Sequence, residues 1–287
     1  MPTSKKYTAY PRRLVSFQKI NEETFSPTEP TVYVIEWDGV IYELLISYQP
    51  ENRQTVVWGN GAIDKGKHPM PIFQRHSWGK ELDFNGIWYF DPTLYLGEAN
   101  LCWCYGTNAR WYLKDIAYLV YIIVNRWQIS LQNTLFFGSS AGGFTSICLA
   151  ILLHGKALAI NPQFDCRRYF STHVKRFKKQ VLEIAEELIP ERISVVECIR
   201  KEAYFPSIHI IENLLSENDM KDQLAFFLKE ISLCDEEGPL RLAFYRDIKG
   251  HVGLPSSKKC MEWIRQDMSI VDKTEALLPP KWIQAYD

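Results

Sequence analysis

The chain has 287 residues, 46% of them hydrophobic and 14% aromatic, enough apolar material for one large domain with a continuous core. Its formal net charge of -1 supplies no global field to recruit nucleic acid or an acidic surface. Seven scattered cysteines suit a reducing compartment better than a disulfide framework. The start, Met1-Pro2-Thr3-Ser4-Lys5-Lys6, leads into polar sequence, so no secretory signal is read there. The longest apolar run, Ile116–Val124, is far too short to cross a bilayer, and a cytoplasmic protein without a membrane span is expected.

Residues 1–30 are polar and hold Pro11, Pro27 and Pro30, the pattern of a weakly structured arm or an edge element. Thr31–Trp37 and Val40–Tyr48 read as strands joined at Asp38-Gly39, a strong hairpin signal. Gln54–Trp58 is the next strand and breaks at Gly59-Asn60-Gly61. A loop over Ala62–Lys80 leads to a strand at Gly86–Phe90, and Leu101–Tyr105 reads as a short strand or a loop lining a site. Cys102 and Cys104 have no clustered Cys or His at ligand spacing, so buried thiols fit better than a metal site, and no metal is expected.

Tyr112–Trp127 is apolar on nearly every face, as a helix buried against a sheet is. Leu131–Phe137 reads as a buried strand and Phe144–Leu153 as an apolar helix stopped at Gly155. Ala157–Ile160 is a strand ending in Asn161-Pro162-Gln163-Phe164-Asp165. Residues 166–205 are charged and helix-favouring, broken at Pro190, and read as a helical insert or cap. Then follow a strand at Ile208–Leu214, a helix at Lys221–Ile231, a strand at Leu240–Tyr245 and a helix at Lys258–Met268. The tail, with Pro279 and Pro280, is expected to pack across the surface. This alternation argues for the α/β class: a mostly parallel sheet with helices on both faces, entered through an antiparallel hairpin. The expected organisation is an arm over residues 1–30 and one domain over 31–287 carrying the insert.

Gly138-Ser139-Ser140-Ala141-Gly142 lies between the buried strand and the apolar helix. G-x-S-x-G also occurs in plain Gly/Ser turns; strand before and helix after are the context of a nucleophile elbow. Small residues at Gly138, Gly142 and Gly143 allow the tight turn, with the Ser140 hydroxyl at its tip and a helix N-terminus behind it. A phosphate-cradling loop is disfavoured, because no lysine follows the glycines.

A serine nucleophile needs a histidine base and an acid to orient it, in the chain order Ser, Asp/Glu, His. Of the histidines after Ser140, His209 sits inside a strand, His154 ends a helix, and His173 belongs to the charged insert. His251, in a glycine-flanked loop after the last strand, stands where the base must arrive. Asp219, after the preceding strand, is the candidate acid, with a helix N-cap as its plain alternative and Glu217 or Asp165 as replacements. The amides to meet a developing oxyanion would be the N–H of Ala141 and one from the loop holding Asn60 and Gly61.

With Ser140, Asp219 and His251 in this order, residues 31–270 resemble the α/β-hydrolase superfamily. More narrowly, the GSSxGG elbow, Phe137-Gly138-Ser139-Ser140-Ala141-Gly142-Gly143-Phe144, followed by Asn161-Pro162-Gln163, resembles bacterial capsule O-acetyltransferases of that fold. The resemblance implies a Ser-Asp-His acyl-enzyme passing acetyl from a donor such as acetyl-CoA to a sugar hydroxyl, with no resident cofactor. It makes Asn161 and Gln163 candidate readers of sugar hydroxyls, Arg75 a candidate holder of an anionic group, and Trp103, Tyr105 and Trp111 candidate stacking platforms. Each also has a plain structural explanation: a strand-ending turn, a solvated loop arginine, core aromatics. A carboxyl-ester hydrolase with the same residues and a non-catalytic partner protein of the same fold are the alternatives.

Overall fold

The computed structural model describes residues 10–67, 69–182, 187–270 and 280–286. Three sequence features therefore fall outside the described residues: Met1–Lys6, Pro279 and residues 183–186 of the expected insert.

Nine strands form one sheet in the order β1-β2-β3-β5-β4-β6-β7-β8-β9. The arm contributes β1 (Arg12–Ser16), an edge strand parallel to β2 (Thr31–Trp37). β2 turns at Asp38-Gly39 into antiparallel β3 (Val40–Ser47), which pairs antiparallel with β5 (Asn85–Tyr89). From β5 onward all pairings are parallel, through β4 (Thr55–Trp58), β6 (Thr134–Ser139), β7 (Lys156–Ile160), β8 (Ser207–Asn213) and β9 (Leu240–Tyr245).

Parallel neighbours in register share a face, so Phe137, Leu158 and His209 point one way while Gly138, Ala159 and Ile210 point the other. Gly138 meets α2 (Ala141–Leu153), whereas His209 meets Asp267 of α6 (Ser257–Ser269) at 3.0 Å. Helices thus cover both faces. α1 (Tyr112–Arg126) and α4 (Val195–Glu202) pack beside α2, every residue of which is buried. A helix apolar all round can hold its place only inside the core. On the α6 side, Trp58 and Trp88 stack at 5.4 Å between ring centroids, side by side on β4 and β5.

In three segments the structure adds to the sequence reading. Leu101–Tyr105 is a loop, with Trp103 and Cys104 at φ 51° and 53°, values no strand adopts. The helix read from Lys221 begins at Asn218 as a wide π-helical stretch, Asn218–Ala225, before α5 (Phe226–Ile231). Of the segment 166–205, α4 lies in the layer beside α2, while α3 (Ser171–Val181) sets Phe177 against Trp103 at 5.0 Å. Among the described residues, no helix is long and apolar enough to cross a membrane.

Candidate active site

The strand β6 ends at Ser139 and α2 begins at Ala141, leaving Ser140 alone to reverse the chain. Its backbone takes φ 56°, ψ -126°, a region costly for a residue with a Cβ and held only where the surroundings impose it. Three glycines impose it by close approach. A Cβ on Gly138 would stand 2.2 Å from Gly142 O, and one on Gly142 would stand 2.5 Å from Gly59 O. The Gly59-Asn60-Gly61 loop is thereby pressed onto the start of α2. The Ser140 N–H donates to Ile160 O at 3.0 Å, and its carbonyl accepts from Gly143 N at 3.0 Å and Phe144 N at 3.1 Å.

Ser140 Oγ lies 2.8 Å from His251 Nε2, and His251 Nδ1 lies 2.8 Å from each carboxylate oxygen of Asp219. A carboxylate only accepts, so Nδ1 carries the proton and Nε2 presents its lone pair to the Ser140 hydroxyl. Asp219 has no exposed surface. The π-helical turn points Asp219 and Gln223 inward together; Gln223 Oε1 accepts from the Phe164 and Asp165 N–H groups. The other acids stand elsewhere: Glu217 is exposed against Lys221, and Asp165 is held by Arg167 at 2.6 Å. His209 pairs with Asp267, and His154 caps α2 against the Tyr204 ring.

The His251 loop is clamped by two asparagines and a tyrosine at the carboxyl ends of three strands. Asn213 Nδ2 donates to Asp247 O and Gly250 O, at 2.7 and 2.9 Å, and its Oδ1 accepts from Asp247 N. Asn161 Nδ2 donates to His251 O at 3.2 Å and to the Tyr245 hydroxyl at 2.7 Å, while Tyr245 donates to Gly253 O at 2.6 Å. Asn213 and Tyr245 escaped the sequence reading; a polar residue closing an apolar strand was the available signal.

Ala141, first in its helix, has an N–H with no intrahelical acceptor. The Gly61 N–H is already bonded to Gln74 Oε1 at 2.9 Å, which takes it out of the oxyanion set and leaves Asn60 as that loop's donor. The Asn60 side chain is tied between Ile72 O and Gln74 N, fixing its backbone. Beside Asn60 and Ala141 lies an enclosed cavity walled by Leu94, Leu101, Trp103 and Thr145. Its volume is about 10 Å³. That is room for about one small group.

Five of the six side chains expected at the substrate are buried within the protein. Asn161 and Gln163 have no exposed surface: Asn161 serves the histidine loop, and Gln163 bonds to Ser140 and Trp103. Trp103 is 1% exposed, Tyr105 0% and Trp111 7%, so none offers a ring face to a sugar. Arg75 is half-buried beside the elbow, with Nη2 2.5 Å from Ser139 Oγ and its guanidinium over Trp78 and Phe137. No carboxylate pairs with it among the described residues. Tyr169 also faces the site, its ring 5.4 Å from that of His251; burial pushes its phenol up, and a hydrogen bond with Ser140 opposes this.

Beneath Asp219 lies Glu212, whose two carboxylate oxygens are buried without a hydrogen-bond partner. Burial, then the negative charge of Asp219, raises its pKa well above the ordinary 4.5. Burial and the neighbouring Asp219 thus both favour the neutral form of Glu212. Among the described residues no group of three or more His, Cys, Asp or Glu could hold a metal ion.

No protein-family model and no curated protein matches the chain. Its fold is nevertheless shared with solved structures. The capsule O-acetyltransferase of Neisseria meningitidis serogroup A matches with TM-score 0.63 and 12% identity over 81% of this chain and 95% of that one. A thermophilic esterase from Thermogutta terrifontis matches with TM-score 0.56 and 14% identity over 89% and 99%. Porphyromonas gingivalis dipeptidyl peptidase 4 matches with TM-score 0.56 and 15% identity over 84% of this chain and 35% of that one. The chain has the α/β-hydrolase fold; at such identities the likeness carries the fold and leaves the reaction to be argued from the site.

Proposed function

We propose that the chain is a serine acyl-transfer enzyme that moves an acetyl group, through an ester on Ser140, to a hydroxyl of a bacterial surface glycan. The unbroken line Ser140 Oγ, His251 and Asp219, each link 2.8 Å, carries this reading. His251 Nε2 takes the Ser140 proton as Oγ attacks the acyl carbonyl, and Asp219 stabilises the imidazolium. The carbonyl oxygen, becoming negative, would face the N–H groups of Ala141 and Asn60 at the positive end of α2. The leaving group takes the proton from Nε2, and an acceptor hydroxyl then repeats the sequence in reverse.

The cavity beside those amides supports acetyl, because it has space for a methyl-sized group and little more. The GSSxGG and N-P-Q motifs, with a capsule O-acetyltransferase among the neighbours in fold, favour a glycan acceptor. Acetyl-CoA as the donor suits a cytoplasmic enzyme acting before export, and Arg75 would then meet a donor phosphate or a sugar carboxylate. In this reading α3 and its flanks are the cap of a single domain over residues 31–287.

The second reading is ester hydrolysis by the same acyl-enzyme; Ser140 is partly exposed, so water can reach it. A non-catalytic role requires Ser140 and His251 apart, and 2.8 Å speaks against it. The test supplies acetyl-CoA with and without de-acetylated capsular polysaccharide and follows acetyl by mass. Acetylated glycan with wild type and none with Ser140→Ala is expected. Steady acetate release without glycan product selects the hydrolase, and equal turnover by Ser140→Ala removes the nucleophile.

A further inference from the structure

Gln163 touches the reacting oxygen itself. Its Nε2 lies 2.7 Å from Ser140 Oγ, and its backbone N–H donates to Ser140 O at 3.3 Å. The orientation of its amide follows from chemistry. Trp103 Nε1 lies 3.0 Å from Gln163 Oε1, and an indole N–H can only donate, so the oxygen must face Trp103 and the NH₂ must face Ser140. Trp103 is itself fixed by the edges of Phe177 at 5.0 Å and Tyr169 at 6.3 Å. Oγ therefore donates to His251 and accepts from Gln163, with the Tyr169 hydroxyl also beside it.

Resting on the acyl-transfer reading above, we propose that Gln163 is a catalytic residue whose amide N–H stabilises negative charge on Ser140 Oγ, with Trp103 as its positioning residue. In the first half-reaction the Ser140 proton passes to His251 Nε2, the Oγ–C bond forms, and the donor's bond to the acyl carbon breaks as its leaving atom takes that proton. In the second, the acceptor O–H proton passes to Nε2, the new C–O bond forms, the C–Oγ bond breaks, and the proton returns to Oγ. Oγ carries developing charge at the start of the first and the end of the second. Gln163 exchanges no proton; it meets that charge with a preorganised donor, separate from the amides that face the carbonyl oxygen.

Gln163→Glu tests this with almost no change of shape. An ionised glutamate still accepts from Trp103 but offers Oγ no hydrogen and repels its charge; the protonated acid can donate again. With p-nitrophenyl acetate, Gln163→Ala and Gln163→Glu should each lower kcat about 100-fold near neutral pH and leave KM within about twofold, the size seen when one preorganised donor is lost. The ratio of Gln163→Glu to wild type, which cancels the ionisations both share, should rise at least about tenfold as pH falls from about 8.5 to about 5.5. Trp103→Phe keeps an aromatic ring but removes the indole N–H that holds the amide, and should lower kcat about tenfold even if the Gln163 variants fail to fold. The proposal is overturned if the folded Gln163 variants keep kcat within about twofold of wild type, or if the glutamate ratio is flat with pH. It is also overturned if Gln163 variants are unfolded and Trp103→Phe turns over normally. A wild-type protein inert toward the ester, or matched by Ser140→Ala, would instead remove the acyl-transfer reading beneath it.

Discussion

Asp219 presents both carboxylate oxygens to a single nitrogen, His251 Nδ1, at 2.8 Å each, from a position with no exposed surface. A buried carboxylate so placed selects one tautomer of the ring and stabilises its cation. Asp219→Asn keeps the shape but can present an N–H to Nδ1, which favours the tautomer that has lost its lone pair at Nε2. With p-nitrophenyl acetate, kcat should fall about 10³- to 10⁴-fold with KM little changed. A loss under tenfold would mean that another acid orients the histidine.

The cavity beside Asn60 and Ala141 should set the length of the acyl group. Leu101→Ala opens one wall of it. We expect kcat/KM for the butyryl ester relative to the acetyl ester to rise about tenfold or more, the scale on which an apolar pocket discriminates single methylenes. An unchanged ratio would place the acyl chain elsewhere.

Glu212 should make the fold less stable as pH rises. Its folded pKa lies above the ordinary 4.5, so between 4.5 and that raised value the unfolded chain loses a proton that the folded chain keeps. Stability is therefore drained through this window and is unaffected below it. Glu212→Gln, which cannot ionise, should match wild type near pH 4 and exceed it at pH 7 by about 1 kcal/mol or more, the worth of one pKa unit. Urea titrations at both pH values measure the difference; a gap of the same size at both would mean that Glu212 is ionised in the folded protein.

The fold was largely legible because its signals are local. Thr31–Trp37 and Leu240–Tyr245 are strands over the bounds that their β-branched and aromatic residues suggest, and Asp38-Gly39 turns the hairpin. Where the reading was open or fell short, a distant contact outweighed a local preference. For Leu101–Tyr105, where strand and loop were both open, a distant partner selects the loop, with Cys104 N bonded to Asp91. The helix after β8 starts early and wide because Asp219 is drawn to a histidine 32 positions away.

Chain order and residue type offered Ser140, His251 and, with Glu217 and Asp165 as replacements, Asp219, since a strand, a serine between glycines and a helix form one continuous stretch and the other candidates follow strands in a set sequence. Sequence could not say where a buried amide spends its hydrogen bonds. Asn161 and Gln163 looked like open ligands; tertiary structure turned one toward the loop of His251 and the other onto Ser140 Oγ. It likewise assigned the Gly61 N–H to Gln74 and left Glu212 unpaired beneath Asp219. Periodicity and turn chemistry act between neighbours in the chain, whereas a hydrogen-bond partner is chosen by whatever the folded core brings within 3 Å, and only the assembled sheet determines that.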